Sequence, residues 1–212
     1  RLAEMYCEAL DGHLGRQAAG GKRPMRLISV RFGNVLASNG SVVPKFKAQI
    51  EAGGPVTVTH PDMVRYFMTI REACDLVLTA ATHALTPARP DVSVYVLNMG
   101  QPVKIVELAE RMIRLSGLEV RDEKHPDGDI AIAYVGLRPG EKLYEELLIG
   151  ENTTGTSHPR IFKNSEPIVA FGDLAAVLER LEDAIQRLDE AEMQELLRST
   201  VEGYVPARSG PE

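Results

Sequence analysis

The sequence predicts an α/β protein that ends in helices. Three observations carry the class. Short β-rich runs alternate with amphipathic helical stretches along most of the 212 residues. The run Arg26–Phe32 is followed at once by a Gly-Asn turn, the usual place for a ligand in an open α/β sheet. The composition is ordinary for a packed domain, with 44% hydrophobic and 25% charged residues.

The elements are expected in this order. Arg1–Leu10 reads as helix, with Leu2, Met5, Tyr6 and Ala9 on one face. Gly12, Gly15, Gly20 and Gly21 predict a loop, and Arg26–Phe32 a strand. Ser41 is the expected cap of a helix carrying Pro44 in its first turn and ending at Gly53-Gly54. Val56–Thr59 and Tyr66–Thr69 read as short strands around a His60-Pro61-Asp62 turn. Thr69 and Glu72 form a capping box for a helix with Ala73, Leu76, Val77, Ala80, Ala81 and Ala84 inward. A strand at 94–97, a helix over 103–116, a strand at 131–135 and a new helix carrying Glu141, Lys142, Glu145 and Glu146 follow. The apolar stripe of Leu174, Val177, Leu178, Leu181, Ile185 and Leu188 predicts a helix over 173–188, and a shorter one starts near Asp189.

Composition excludes several classes. The net charge of −6 comes from an acid-rich second half, and no basic stripe exists to bind nucleic acid. Two cysteines, Cys7 and Cys74, and five scattered histidines argue against a disulfide framework or a zinc module, and both thiols are expected inside apolar helix faces. No apolar run is long enough to span a bilayer. No Gly-x-Gly, Tyr-x-x-x-Lys, Walker or Gly-x-Ser-x-Gly pattern occurs. The first helix begins at Arg1 without a capping residue, so a chain cut from a longer one is expected.

Three segments depart from plain patterning. Arg31-Phe-Gly-Asn-Val35 ends a strand, where Gly33 permits close backbone approach and Asn34 offers an amide. Arg65 sits among apolar positions and needs an anion or a carboxylate, with Asp62 or Asp75 as the structural partner. Arg138-Pro-Gly places a guanidinium on a tight turn at a strand end.

GSVVPKFKAQIEAGGPVTVTHPDMVRYFMTIREA and LRPGEKLYEELLIGENTTGTSHPRI together resemble the bacterial polysaccharide-biosynthesis nucleoside-diphosphate-sugar 4,6-dehydratases, UDP-N-acetylglucosamine 4,6-dehydratases among them. These are extended short-chain dehydrogenases/reductases, and the resemblance covers about residues 1–165. It implies the C-terminal half of an extended Rossmann-type α/β fold, with the last sheet strands, a small substrate-binding subdomain and C-terminal helices. The implied regions are 1–35, the end of a nucleotide-binding domain; 36–165, a substrate-binding region with a returning strand near 94–98; and 166–212, a helical segment. It implies that Asn34 faces the sugar and diphosphate, that Val43 and Lys47 line the nucleotide pocket, and that Thr59 and Met63 border the nucleoside. It further implies that Arg65 and Arg138 clamp the diphosphate while Glu141 meets the ribose or positions an arginine. Arg31 and Gly33 are the implied cofactor contacts. Lys45 departs from the family pattern, which can carry an aromatic residue there.

The implied whole enzyme is a UDP-sugar lyase using NAD or NADP, bound mainly upstream of Arg1 together with the catalytic Tyr and Lys. The chain alone is therefore expected to be inactive. A homo-oligomer is implied, with a cytoplasmic location and a possible N-terminal inner-membrane anchor in longer members; this chain itself is expected to make no membrane contact. A UDP-sugar epimerase of the same fold and a non-catalytic binding or assembly domain are the alternatives.

Overall fold

In the computed structural model, residues 1–17, 25–38, 40–85, 94–145 and 152–206 are described. The chain divides into two compact units, Arg1–Arg31 with Leu78–Leu97 and Ile149–Glu212, and Phe32–Val77 with Asn98–Leu148. This division cuts across the linear boundaries expected at 35 and 165. The chain leaves the first unit after one strand and returns to it twice.

The first unit is built on a four-stranded sheet. β1 (Ser29–Arg31) pairs in parallel with β6 (Val94–Leu97), β6 with antiparallel β11 (Ile161–Asn164), and β11 with β10 (Thr153–Gly155). All four residues of β6 are buried, as a central strand of apolar residues requires. α1 (Leu2–Gln17) packs on α5 (Phe171–Gln186) through Met5, Ala9, Leu174 and Leu178, with Val201 closing the cluster after α6 (Glu190–Thr200). Asp189 caps α6 by accepting from the Glu192 amide at 3.0 Å.

Three expectations fail here. Gly12 and Gly15 lie inside α1, which runs to Gln17. Their cost of about 1 kcal/mol each in a helix interior is overridden by contacts from the same helix, among them the Asp11 carboxylate, which takes both Arg26 Nε at 3.1 Å and the Leu27 amide at 2.9 Å. Gly20 and Gly21 lie outside the described residues. Cys74 is exposed, because the buried face of its helix turns through Ala73, Leu76, Ala80 and Ala84 instead. The α5 stripe is only half used: Leu174 is fully buried, but Ile185 and Leu188 are exposed.

The second unit holds short strands around one apolar core. β3 (Val56–Val58), β9 (Ile130–Tyr134) and β8 (Val120–Arg121) form a parallel sheet in the order β3-β9-β8. α2 (Val42–Glu51) and α4 (Ile105–Leu115) cover it through Phe46, Ile50, Ile105, Ala109 and Ile113, all packed with Val56, Val58 and Ile130. β2 (Asn34–Val35) pairs with β5 (Phe67–Met68), and β4 (Val64–Arg65) with β7 (Val103–Lys104). The expected strand at 66–69 is thus shortened to Phe67–Met68, with Tyr66 between it and β4. α3 (Ile70–Ala84) opens with the capping box: the Thr69 amide donates to Glu72 Oε2 at 2.9 Å and the Glu72 amide to Thr69 Oγ1 at 3.2 Å. No described helix is long and apolar enough to cross a membrane.

In the first unit, Glu8 is 4% exposed, and burial pushes its carboxyl above the ordinary range, against the attraction of Arg1 and Arg31. A raised carboxyl pKa stabilises the fold only while the group is protonated. That contribution is present below the unfolded value of about 4.3 and is lost as pH rises through the folded one. Glu8→Gln should therefore be more stable than wild type at pH 7, with the difference shrinking towards pH 4 in parallel thermal melts. A constant difference across that range would mean that Glu8 carries no buried-charge penalty.

Candidate functional site

The second unit contains a cavity of about 400 Å³ lined by 17 residues from β2, α2, β3, β4, β5, α4 and the turn after β9. Its floor is apolar, formed by Phe46, Val58, Met63 and Ile105, which belong to the unit's core. Its rim is polar and cationic, with Asn34, Ser41, Lys45, Thr59, Arg65, Arg138 and Glu141.

Six of the eight expected substrate residues line this cavity: Asn34, Thr59, Met63, Arg65, Arg138 and Glu141. Val43 and Lys47 do not. Helical periodicity turns Val42, Lys45 and Phe46 to the cavity, and the exposed Lys47 instead approaches Glu51 at 3.8 Å, one turn on. Ser41 and Lys45 are the residues that expectation missed. Ser41 stands at the N-terminus of α2 but forms no side-chain cap bond. Its Oγ is buried without a hydrogen-bond partner, an uncompensated cost unless a ligand supplies one. The cue was a serine ahead of a helix, and it was read only as a cap.

Arg65 has a different arrangement from the expected one. Its partners are neither Asp62, which approaches Lys104, nor Asp75, which approaches Arg71. Instead its Nη1 donates to the carbonyls of Val64 at 2.8 Å and Leu143 at 3.3 Å, and its Nη2 to that of Lys142 at 2.7 Å. Nε lies 3.5 Å from Glu145 and Nη2 lies 3.9 Å from Glu141. The guanidinium therefore grips the 141–145 segment by its backbone.

That grip explains why 141–145 is not the expected helix; Glu146 lies outside the described residues. A helix would need the Leu143 carbonyl for its own ladder, yet that oxygen accepts from Arg65 and from the Val64 amide at 3.3 Å. Tyr144 makes a bridge to Val64 instead. The two glutamates turn inward. Glu145 accepts from the Asn34 amide and the Tyr66 backbone, both at 3.4 Å. Glu141 accepts from the Arg138 backbone N–H at 3.1 Å, and its own N–H donates to the Arg138 carbonyl at 3.0 Å. Gly140, at φ +77°, makes that tight turn possible. The turn presents the Arg138 side chain at the cavity rim, exposed to solvent.

The two expected cofactor contacts are engaged within the chain. Arg31 donates from Nε and Nη2 to Glu4 at 2.8 and 2.7 Å and from Nη1 to Glu166 at 2.8 Å. This bonding holds the Glu4 carboxyl below its ordinary range. Gly33 is closely approached, but by its own chain: a Cβ there would meet the Tyr66 carbonyl at 3.2 Å and Met99 Cε at 3.3 Å.

Residues 1–166 match the family model described as polysaccharide biosynthesis protein. The chain belongs to this family. It is 52% identical over 148 residues to the capsular polysaccharide biosynthesis protein CapD of Staphylococcus aureus, covering 70% of this chain and 21% of CapD. It is 35% identical over 126 residues to the UDP-glucose 4-epimerase of Rickettsia typhi, covering 59% of this chain and 32% of the epimerase. The solved structure of Pen from Bacillus thuringiensis superposes with a TM-score of 0.58 at 30% identity, over 79% of this chain and 45% of Pen. The chain thus spans a fifth to under a half of the length of these relatives. The α/β class read from the sequence agrees with this fold.

Replacing Arg65 by Ala should remove its three hydrogen bonds to backbone carbonyls and cost about 1–3 kcal/mol, read as a lower urea midpoint. Lys should restore little of this, since it lacks the planar fork. Glu145→Gln, which keeps the segment's shape, should cost under about 1 kcal/mol. A full rescue by Lys would show that Arg65 acts only as a charge.

Proposed function

We propose that the cavity of the second unit binds the nucleoside diphosphate part of a UDP-sugar, and that the chain is the substrate-binding portion of a nucleotide-sugar-modifying enzyme of polysaccharide biosynthesis. One observation carries the reading: an unpartnered buried hydroxyl at a helix N-terminus opens onto a cavity whose rim carries Arg138, Arg65 and Lys45 and whose floor is apolar.

The chemistry suits such a ligand. A diphosphate needs several donors and positive charge, and a planar guanidinium meets it best. Arg138 has its side chain at the rim, and its backbone is fixed by Glu141. Pro44 has no N–H and the Lys45 amide is bonded to the Ser41 carbonyl, so the Val42 and Val43 amides are the first-turn donors that favour an anion, together with Ser41 Oγ. Arg65 adds positive charge at the wall while its donors hold the 141–145 segment. The apolar floor beside Thr59 and Met63 suits a nucleoside, and Asn34 is in reach of polar groups of the sugar. In this reading Val43 and Lys47 support α2 and do not touch the ligand.

The whole enzyme, in this proposal, carries out 4,6-dehydration of the sugar. Epimerisation is the second reading, favoured by the likeness to a UDP-glucose 4-epimerase. NAD or NADP is the cofactor proposed for the whole enzyme. The residues of this chain are proposed to serve the substrate: Arg31 is already bound by two carboxylates, and the Cβ side of Gly33 faces Tyr66 and Met99. Their part is to bind and orient the nucleotide sugar. A cytoplasmic, homo-oligomeric enzyme is part of the same proposal.

Isothermal titration tests the site. UDP should bind the wild-type chain, and Arg138→Ala should weaken it by roughly tenfold to a hundredfold, the equivalent of one charge-assisted hydrogen bond of about 1.5–3 kcal/mol. NAD+ should not bind. Equal UDP affinity in the Arg138 variant would remove that residue from the site.

A further inference from the structure

Lys45 stands where helix physics disfavours a cation. It lies in the first turn of α2, at the positive end of the helix dipole, and that turn contains no acidic residue. It forms no ion pair among the described residues, unlike Lys47, which has Glu51 one turn on. It shares the cavity rim with two further cations, Arg65 and Arg138. The acid on the same rim, Glu141, is engaged with the Arg138 amide and Thr59. The donors of Arg65 are held by the 141–145 segment. This exposed ammonium is therefore the cation on this rim with the fewest internal commitments besides Arg138.

We propose that Lys45 is a specificity-determining residue that contacts a phosphoryl group of the ligand and makes the site select for the ligand's negative charge. This rests on the nucleotide reading of the cavity and deepens it. The dipole conflict at Lys45 is relieved only when an anion sits between its ammonium, Arg138 and the buried Ser41 hydroxyl. The empty site then carries an electrostatic strain that a diphosphate removes and an uncharged nucleoside does not.

The test uses UDP and uridine as probes on the purified chain, with Lys45→Met and Lys45→Arg. Lys45→Met keeps the apolar stem and removes the charge. It should lower UDP affinity about tenfold, the equivalent of one charge-assisted contact, and make UDP binding less sensitive to salt. Uridine affinity should not change. Without ligand, the same variant should melt at the wild-type temperature or above it, because the dipole conflict is gone. Lys45→Arg should retain most of the UDP affinity. If Lys45→Met binds UDP within twofold of wild type, Lys45 is a solvated surface residue and the proposal falls. If uridine and UDP affinities fall together, Lys45 acts through packing and the proposal also falls. If wild type binds no UDP, the nucleotide reading itself is overturned, and this inference with it.

Discussion

The candidate site depends on one guanidinium. Arg65 leaves a two-residue strand and bonds the backbone carbonyls at 142 and 143, which lie about 80 positions later in the chain. Without that grip, nothing in the local sequence would keep 141–145 out of the helix that its acidic pattern favours. With it, Glu141 and Glu145 turn inward, Asn34 and Tyr66 gain partners, and the Pro139-Gly140 turn holds Arg138 at the cavity rim. Arg suits this task better than Lys because its five donors lie in one plane and can address several acceptors at once.

The second organising constraint is the imbalance of polar groups around the cavity. The core beneath it is closed and apolar, with Phe46, Val58 and Ile105 each under a tenth exposed. Above that floor the groups are mostly donors: a hydroxyl with no partner, the first turn of a helix, a lysine and two arginines. Glu141 already serves the turn that carries Arg138. A pocket so rich in donors matches an anionic ligand with an apolar end, and a nucleoside diphosphate has both parts. This match connects the fold to the proposed chemistry.

Much of this was legible in the sequence because it is local. The capping box at Thr69 and Glu72, the cap at Asp189 and the alternation of strands with amphipathic helices all follow from short-range periodicity and hydrogen bonding. The two long segments that carry the resemblance hold most of the cavity lining, Arg65 and Arg138 among it, while Asn34 precedes them both. What escaped depends on distant partners. Arg65 could be read as needing an anion, but not that Glu141 and Glu145 would supply carboxylates. Gly12 and Gly15 read as loop because their cost is local, while the packing of α1 on α5 is not. On α2, Val43 and Lys47 are the expected lining residues, whereas Val42 and Lys45, one and two positions earlier, line the cavity. Arg31 read as a ligand contact because its partners, Glu4 and Glu166, lie 27 and 135 residues away.

The central claim is that the anion binds between Arg138 and the first turn of α2. A crystal structure of the chain grown with UDP tests it most directly. The account predicts diphosphate density within hydrogen-bond distance of Ser41 Oγ and the Arg138 guanidinium, with the uridine over Met63 and Thr59. UDP bound elsewhere on the chain, or its phosphates turned away from both Ser41 and Arg138, would contradict it.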